Sequence, residues 1–281
     1  MLLSNQIMHS SPTSNTKILV LATVVIIASA AALAASWPVA VVAARAQAAS
    51  LIGEAGSANS AEAATDYQLA TRLDPSNPAG FVGLAHTQIL AGHADAALVT
   101  LDRAGEGSEA GRLRLRTLIE LGRTNEAADR AASFAVHGRS DSDILLAGLA
   151  YALAGRTTDI PALIPLVGSP EAAQRLSRAS SGDLPLAAEL YASGLPESSR
   201  TLLMKQPTSF ERNLLLAKIL YARHSQPDLA SAANYLKIAV ALDPSGIAAR
   251  QLLASVYSDS SLHAESAAQT VLITKLQSGR P

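Results

Sequence analysis

The chain contains no cysteine among its 281 residues. That absence excludes disulfide bonds, a thiolate metal site and a cysteine nucleophile. It also excludes a lipid-modified cysteine as the means of membrane attachment.

Aromatic residues are scarce as well. They make up 4% of the chain, whereas hydrophobic residues make up 49%. Much of the apolar content is alanine, which has the highest helix propensity and lets helices approach one another closely. An array of stacked helices needs no single large core and suits this composition. We therefore expect an all-α fold.

An excess of charge of either sign is also missing, because the formal net charge is −1. Proteins that bind nucleic acid through their overall charge carry a basic excess. A net charge of −1 gives no such electrostatic attraction for nucleic acid. We expect no nucleic-acid partner.

A spacing of 34 residues is the clearest pattern that is present. The residues Ala63, Tyr67 and Ala70 are matched 34 positions later by Ala97, Leu101 and Ala104. A fixed period of 20 to 50 residues indicates a supersecondary unit that buries its apolar face by stacking on its neighbours. The sequence therefore predicts helical-hairpin repeats.

At these positions the chain resembles a tetratricopeptide repeat (TPR) protein. Phe81, Leu84 and Ala85 match first-helix positions of that family, and Gly92 matches its turn. Pro75 and Pro244, which follow matching second-helix patterns, lie 169 positions apart, one short of five repeats of 34. The resemblance implies a right-handed α-solenoid that binds protein segments on its concave surface.

The N-terminal region has a different character. Residues 1–16 carry no charge and are rich in Ser, Asn and Thr, which favours a disordered tail. Residues 18–44 are also uncharged, and as a helix they extend about 40 Å, more than the roughly 30 Å of a hydrocarbon core. We expect a transmembrane signal anchor at 17–45. The alternative is a cleavable signal peptide, since small-x-small patterns occur at residues 32–34 and 46–48.

The orientation of this anchor follows from few charges. Lys17 precedes the apolar segment and Arg45 follows it, so the N-terminal amine tips the balance toward a cytoplasmic N-terminus. We expect a single-pass protein of the cell membrane with its repeats outside the cytoplasm.

The repeat domain is expected at residues 46–281. Its units begin at Pro78, Ser108 and Ser140, with Gly92, Gly122 and Gly155 at successive hairpin turns. The pattern degrades at about 157–206, where five prolines predict short helices of roughly eight to twelve residues with proline in their first turns. It resumes with helices near 208–223 and a last hairpin at 247–277.

No catalytic pattern stands out in the sequence. There is no phosphate-binding glycine loop, metalloprotease helix or nucleophilic serine elbow. His86 and His93 lack a third ligand at metal-binding spacing, and Asp141 and Asp143 are better explained as helix-capping residues. We expect no enzyme activity, no cofactor and no metal.

Arginine gives the one functional indication. Arg112 and Arg116 lie four residues apart on one predicted first helix and so share a face. In the family that the chain resembles, matching positions hold peptide carboxylates. The matching places in the neighbouring unit are Val82 and His86 instead, so the family's full carboxylate clamp is absent. The resemblance still implies a peptide groove at these four residues. The alternative is an exposed, salt-bridged helix face.

Together these patterns predict a membrane-anchored TPR-like scaffold that mediates protein–protein interaction in the assembly of a membrane or envelope complex. Two alternatives remain open at this point. One is a secreted binding protein released by signal cleavage, and the other is a stable structural subunit of a membrane complex.

Overall fold

The computed structural model describes residues 60–105, 107–137 and 140–279, together with helical positions 41, 44, 45, 47, 48 and 50–52. Throughout these residues the secondary structure is helical. The helices are α1 (Ser60–Leu73), α2 (Pro78–Leu90), α3 (Ala94–Ala104), α4 (Ser108–Glu120), α5 (Thr124–His137), α6 (Asp141–Leu153), α7 (Pro170–Ala179), α8 (Asp183–Ala192), α9 (Pro196–Met204), α10 (Phe210–Arg223), α11 (Gln226–Leu242), α12 (Ile247–Asp259) and α13 (His263–Ser278).

The chain divides into two compact units, Met1–Leu90 and Ala91–Pro281. In the first unit α1 packs against α2 across a short turn. The ring of Tyr67 lies so close to Gly83 that a Cβ atom there would stand 2.2 Å from it. Glycine at this position therefore lets the two helices approach closely.

The second unit is a series of antiparallel hairpins. Each helix from α3 onward contacts the next one, and the first helices of successive hairpins also touch, since α4 packs on α6, α6 on α8, α8 on α10 and α10 on α12. Contact with both the next helix and the next helix but one is the packing of an α-solenoid. The expected all-α solenoid is confirmed for this unit, while its handedness stays a prediction.

Glycines with left-handed backbone angles stand at the turns where the spacing predicts them. Gly92, Gly122 and Gly155 have φ angles of 80°, 71° and 73°. At Gly122 the amides of residues 122 and 123 donate to the carbonyls of Ile119 and Leu118. This pair of bonds is a Schellman motif, which satisfies carbonyls at the helix end and needs a left-handed residue. The predicted turns are confirmed.

The region at 157–206 contains 3-10 segments and short helices. Pro161 and Pro165 lie in two short 3-10 segments, Thr157–Ala162 and Ile164–Leu166. Helices α7 and α9 each begin at a proline and are 10 and 9 residues long. Proline at the first helical position lacks only an N–H that would find no partner inside the helix. The prediction of short, proline-started helices is confirmed for α7 and α9. At Pro161 and Pro165 it was wrong, because the chain forms shorter 3-10 segments there.

Among the described residues, no helix has the length and apolarity needed to cross a membrane. The predicted disordered tail at 1–16 lies outside the described residues. The predicted span at 17–45 lies outside them too, except at positions 41, 44 and 45, which are helical. Both stay predictions.

Candidate interaction surface

Arg112, one of the four predicted groove residues, lies on α4 and binds a carboxylate of its own chain. Its Nε donates to Asp143 Oδ1 at 2.6 Å, and its Nη2 donates to Oδ2 at 3.2 Å. The Asp143 side chain is fully buried, whereas that of Arg112 is 46% exposed. The hydrogen bond to Asp143 raises the pKa of Arg112. Arg112 thus neutralises a buried charge on α6.

Arg116 lies one turn further along α4 and grips the end of another helix. Its two terminal nitrogens donate to the carbonyl oxygens of Ser193 at 3.0 Å and Gly194 at 2.6 Å. These carbonyls follow the last turn of α8, where a helix carries partial negative charge. The guanidinium therefore satisfies acceptors that the helix itself leaves open.

Glu120 completes this contact from the end of α4. Its carboxylate accepts hydrogen bonds from the backbone N–H and the hydroxyl of Ser198, each at 3.1 Å. Ser198 lies in the first turn of α9, where a negative charge is favourable. Burial raises the pKa of Glu120 even though these bonds lower it. Helix α4 therefore binds the α8–α9 turn at two points. Arg116 contacts the C-terminal end of α8, and Glu120 contacts the N-terminal end of α9.

The remaining two predicted residues belong to the first unit. Val82 and His86 lie on α2, where Val82 is half-buried and His86 is exposed. Of the four predicted residues, Arg112 and Arg116 are therefore brought together on one helix, but their guanidinium groups face different intramolecular partners. A peptide-binding role for the four stays a prediction.

Neighbouring arginines form ion pairs, as the salt-bridged alternative expects. Arg123 pairs with Asp95 at 3.2 Å and with Glu126 at 2.6 Å. Arg114 is buried and donates to the carbonyl of Leu101 at 2.6 Å. Much of the arginine-rich segment thus serves the structure of the second unit.

The helix α6 is capped by a serine, and its two first-turn aspartates accept hydrogen bonds from other segments of the chain. Ser140 is the N-cap residue, and its side chain accepts the N–H of Asp143. Asp141 accepts hydrogen bonds from the Gly168 N–H at 2.7 Å and the Ser169 hydroxyl at 2.5 Å, and these bonds lower its pKa. Asp141 therefore ties the start of α6 to the start of α7.

An apolar cleft between α8 and α10 was not predicted from the sequence. Its volume is about 330 Å³, and its apolar lining comes from Leu184, Pro185, Ala188, Leu214 and Leu215. Both helices are first helices of their hairpins, so the cleft opens on the side where successive first helices meet. Four of these side chains are half-buried and Ala188 is exposed. In the sequence these five are ordinary apolar residues of α8 and α10.

Charges of opposite sign border this cleft. Glu211 and Lys218 are exposed and lie seven residues apart on α10, about 10 Å along the helix axis. Neither forms an ion pair with any residue in the described part of the chain. The cleft therefore has an apolar floor, an acidic end and a basic end.

Acidic and histidine side chains are not gathered into a metal site. Within the described residues no three His, Asp or Glu side chains are grouped so that they could hold a metal ion.

No protein-family model matches this chain, and no curated protein matches it. Solved structures of low sequence identity do. A tetratricopeptide repeat protein from Parabacteroides merdae is 16% identical with a TM-score of 0.44, over 75% of this chain and 98% of its own. PilF of Pseudomonas aeruginosa is 18% identical with a TM-score of 0.40, over 76% and 99%. Yeast Tom70 is 15% identical with a TM-score of 0.41, over 83% and 50%.

Proposed function

We propose that this chain is a non-catalytic protein-binding scaffold whose second unit holds a peptide segment of a partner in the cleft between α8 and α10. The observation that carries this proposal is the cleft itself, an apolar surface on neighbouring first helices with charged residues at its ends. Ligand sites are typically concave and apolar, with a few polar groups that fix orientation.

The charges at the cleft define the partner's chemistry. A peptide segment with apolar residues at its centre would bury those residues against Leu184, Leu214 and Leu215. A basic residue on the segment would lie near Glu211, and an acidic residue would lie near Lys218. Opposite charges at the rim set orientation and specificity more than affinity.

The N-terminal segment would determine where in the cell this binding takes place. Residues 17–45, if they anchor the chain in the cell membrane, would confine the binding surface to the bilayer and raise its effective concentration toward partners there. We propose on this basis a role in assembling a membrane or envelope complex, with the repeats outside the cytoplasm.

A displayed library of random peptides tests the cleft. Wild-type protein should enrich peptides with an apolar centre and a fixed order of basic and acidic residues. Ala188→Arg places a large cation in the cleft and should lower affinity for enriched peptides at least about tenfold, since several apolar contacts are lost. The matched control is Ala230→Arg, an exposed helical alanine on α11, which should leave affinity unchanged.

The charge order gives a sharper readout. In the double variant Glu211→Lys, Lys218→Glu the selected peptides should carry their charged residues in reversed order. Circular dichroism verifies that each variant is folded. Failure to enrich any peptide, or equal binding by the Ala188→Arg variant, would refute the cleft as the binding site.

A further inference from the structure

Helix α13 has an exposed apolar face. Among the described residues with large, exposed apolar side chains, three lie in one six-residue stretch of this helix: Val271 at 56%, Leu272 at 40% and Leu276 at 40% exposure. The opposite side of α13 packs on α12, where the Ser266 hydroxyl donates to the carbonyl of Ala254 and Gln269 accepts from Arg250. The helix is thus attached by one side and presents leucines on another.

The exposed residues of this face follow a helix-pairing pattern. Glu265, Ala268, Leu272 and Lys275 are all exposed and are spaced by three, four and three residues. This is the spacing of the seam along which two helices meet in a coiled coil. The seam contains one small residue, one large apolar residue and one charge of each sign.

The order of these residues fits an antiparallel copy of the same helix. In an antiparallel pair related by a two-fold axis near Thr270, Ala268 of one copy faces Leu272 of the other. Glu265 of one copy then faces Lys275 of the other, and both contacts occur twice. Val271 lies next to the axis in both copies. Size and charge are therefore complementary at every position of the seam.

A parallel pair lacks this complementarity. It would place Glu265 against Glu265 and Lys275 against Lys275, and like charges repel. The charge pattern thus selects both the partner and the direction of pairing.

We propose that the chain forms a symmetric homodimer through antiparallel pairing of its α13 helices. The dimer would present two α8–α10 clefts on one assembly, yet the pairing does not depend on whether those clefts bind peptides. The interface is one helix about 24 Å long, so the dimer should be weak and concentration-dependent.

The absence of native cysteine allows a clean cross-linking test on the full-length protein in mild detergent. Two variants are made, Glu265→Cys and Lys275→Cys. In the antiparallel pair, equal positions of the two copies lie about 15 Å apart along the axis, beyond the reach of a disulfide, which needs Cα atoms within about 7 Å. Each variant alone should therefore give no covalent dimer under oxidation.

A mixture of the two variants should give a covalent dimer. The thiol introduced at position 265 of one chain then faces the thiol introduced at position 275 of the other, while the second Glu265–Lys275 contact stays intact. A covalent dimer from either variant alone, or none from the mixture, would overturn the antiparallel pairing.

Light scattering of the cysteine-free protein provides the second measurement. Wild-type protein should shift from monomer toward dimer as concentration rises. Leu272→Glu should remove that shift, whereas Thr274→Glu, which adds the same charge at an exposed position away from the seam, should retain it. A wild-type protein that stays monomeric at all concentrations, or a Leu272→Glu variant that still dimerises, would refute the proposal.

Discussion

The ion pair between Arg112 and Asp143 makes a quantitative prediction about stability. The Asp143 carboxylate is fully buried and accepts two hydrogen bonds from one guanidinium, at 2.6 and 3.2 Å. Replacing Arg112 with Met keeps an apolar stem of similar length but leaves a buried negative charge without this cation. Breaking a buried pair in this way costs about 3 kcal/mol, at the low end of the usual range because Arg112 is half exposed. The folding equilibrium should fall roughly a hundredfold.

The cost should depend on the charge of residue 143. In an Asp143→Asn background, Arg112→Met should cost less than about 1 kcal/mol, since residue 143 then carries no buried charge for Arg112 to neutralise. The coupling between the two substitutions should therefore be about 2 kcal/mol. Urea unfolding followed by circular dichroism measures all four proteins, and an unchanged slope confirms that the same transition is compared.

A matched control is Arg123, which pairs with Asp95 and Glu126 while all three side chains stay at least 41% exposed. Exposed pairs contribute little, so Arg123→Met should cost no more than about 0.5 kcal/mol. Equal losses for Arg112→Met and Arg123→Met, or additive losses for Arg112→Met and Asp143→Asn, would refute the argument that Arg112 neutralises a buried charge.

Three further outcomes are expected. Gly148→Ala should destabilise the protein by about 1 kcal/mol, because the added Cβ atom would lie 2.3 Å from the buried Leu176 side chain. The control in the same unfolding assay is Gly107→Ala, whose added Cβ atom meets no atom within 4 Å. Ser261→Gly should stabilise by about 0.5 to 1 kcal/mol because residue 261 has a φ of 61°, and an unchanged or lower urea midpoint would contradict this. Burial raises the pKa of Glu120, so its contribution to stability is present below the ordinary glutamate pKa and lost as pH rises through the raised value. Glu120→Gln should flatten this decline in a pH series of unfolding curves, and a curve parallel to that of the wild type would argue against it.

Helices and turns of this protein follow from local sequence. Unit starts at Pro78 and Ser108, the Ser140 N-cap and the left-handed glycines were all predicted, because capping and turn preferences depend on a few neighbouring residues. The Gly194 turn, with a φ of 73°, was missed although it closes α8 with the same pair of backbone bonds. It lies in the region where the 34-residue period is lost, so the repeat pattern did not point to it.

The contacts of the predicted groove residues follow from the sequence only in part. Sequence spacing correctly placed Arg112 and Arg116 on one helix. Their partners, Asp143 and the carbonyl of Ser193, lie 31 and 77 positions away. No local pattern indicates that the α8–α9 turn meets α4, because that contact depends on how several hairpins stack.

What the sequence determined by itself is the helical content, the hairpin boundaries and the absence of any cysteine chemistry, since each depends on residue type and on spacing within one or two turns. The tertiary structure decided which charged side chains bind partners within the protein and which remain exposed at its surface. Arg112 and Arg116 resemble ligand-binding residues in sequence but bind their own chain, while Glu211 and Lys218 attract no attention in sequence and border an apolar cleft. The reason is physical: whether a charged side chain finds an intramolecular partner depends on distances between helices that only their packing sets.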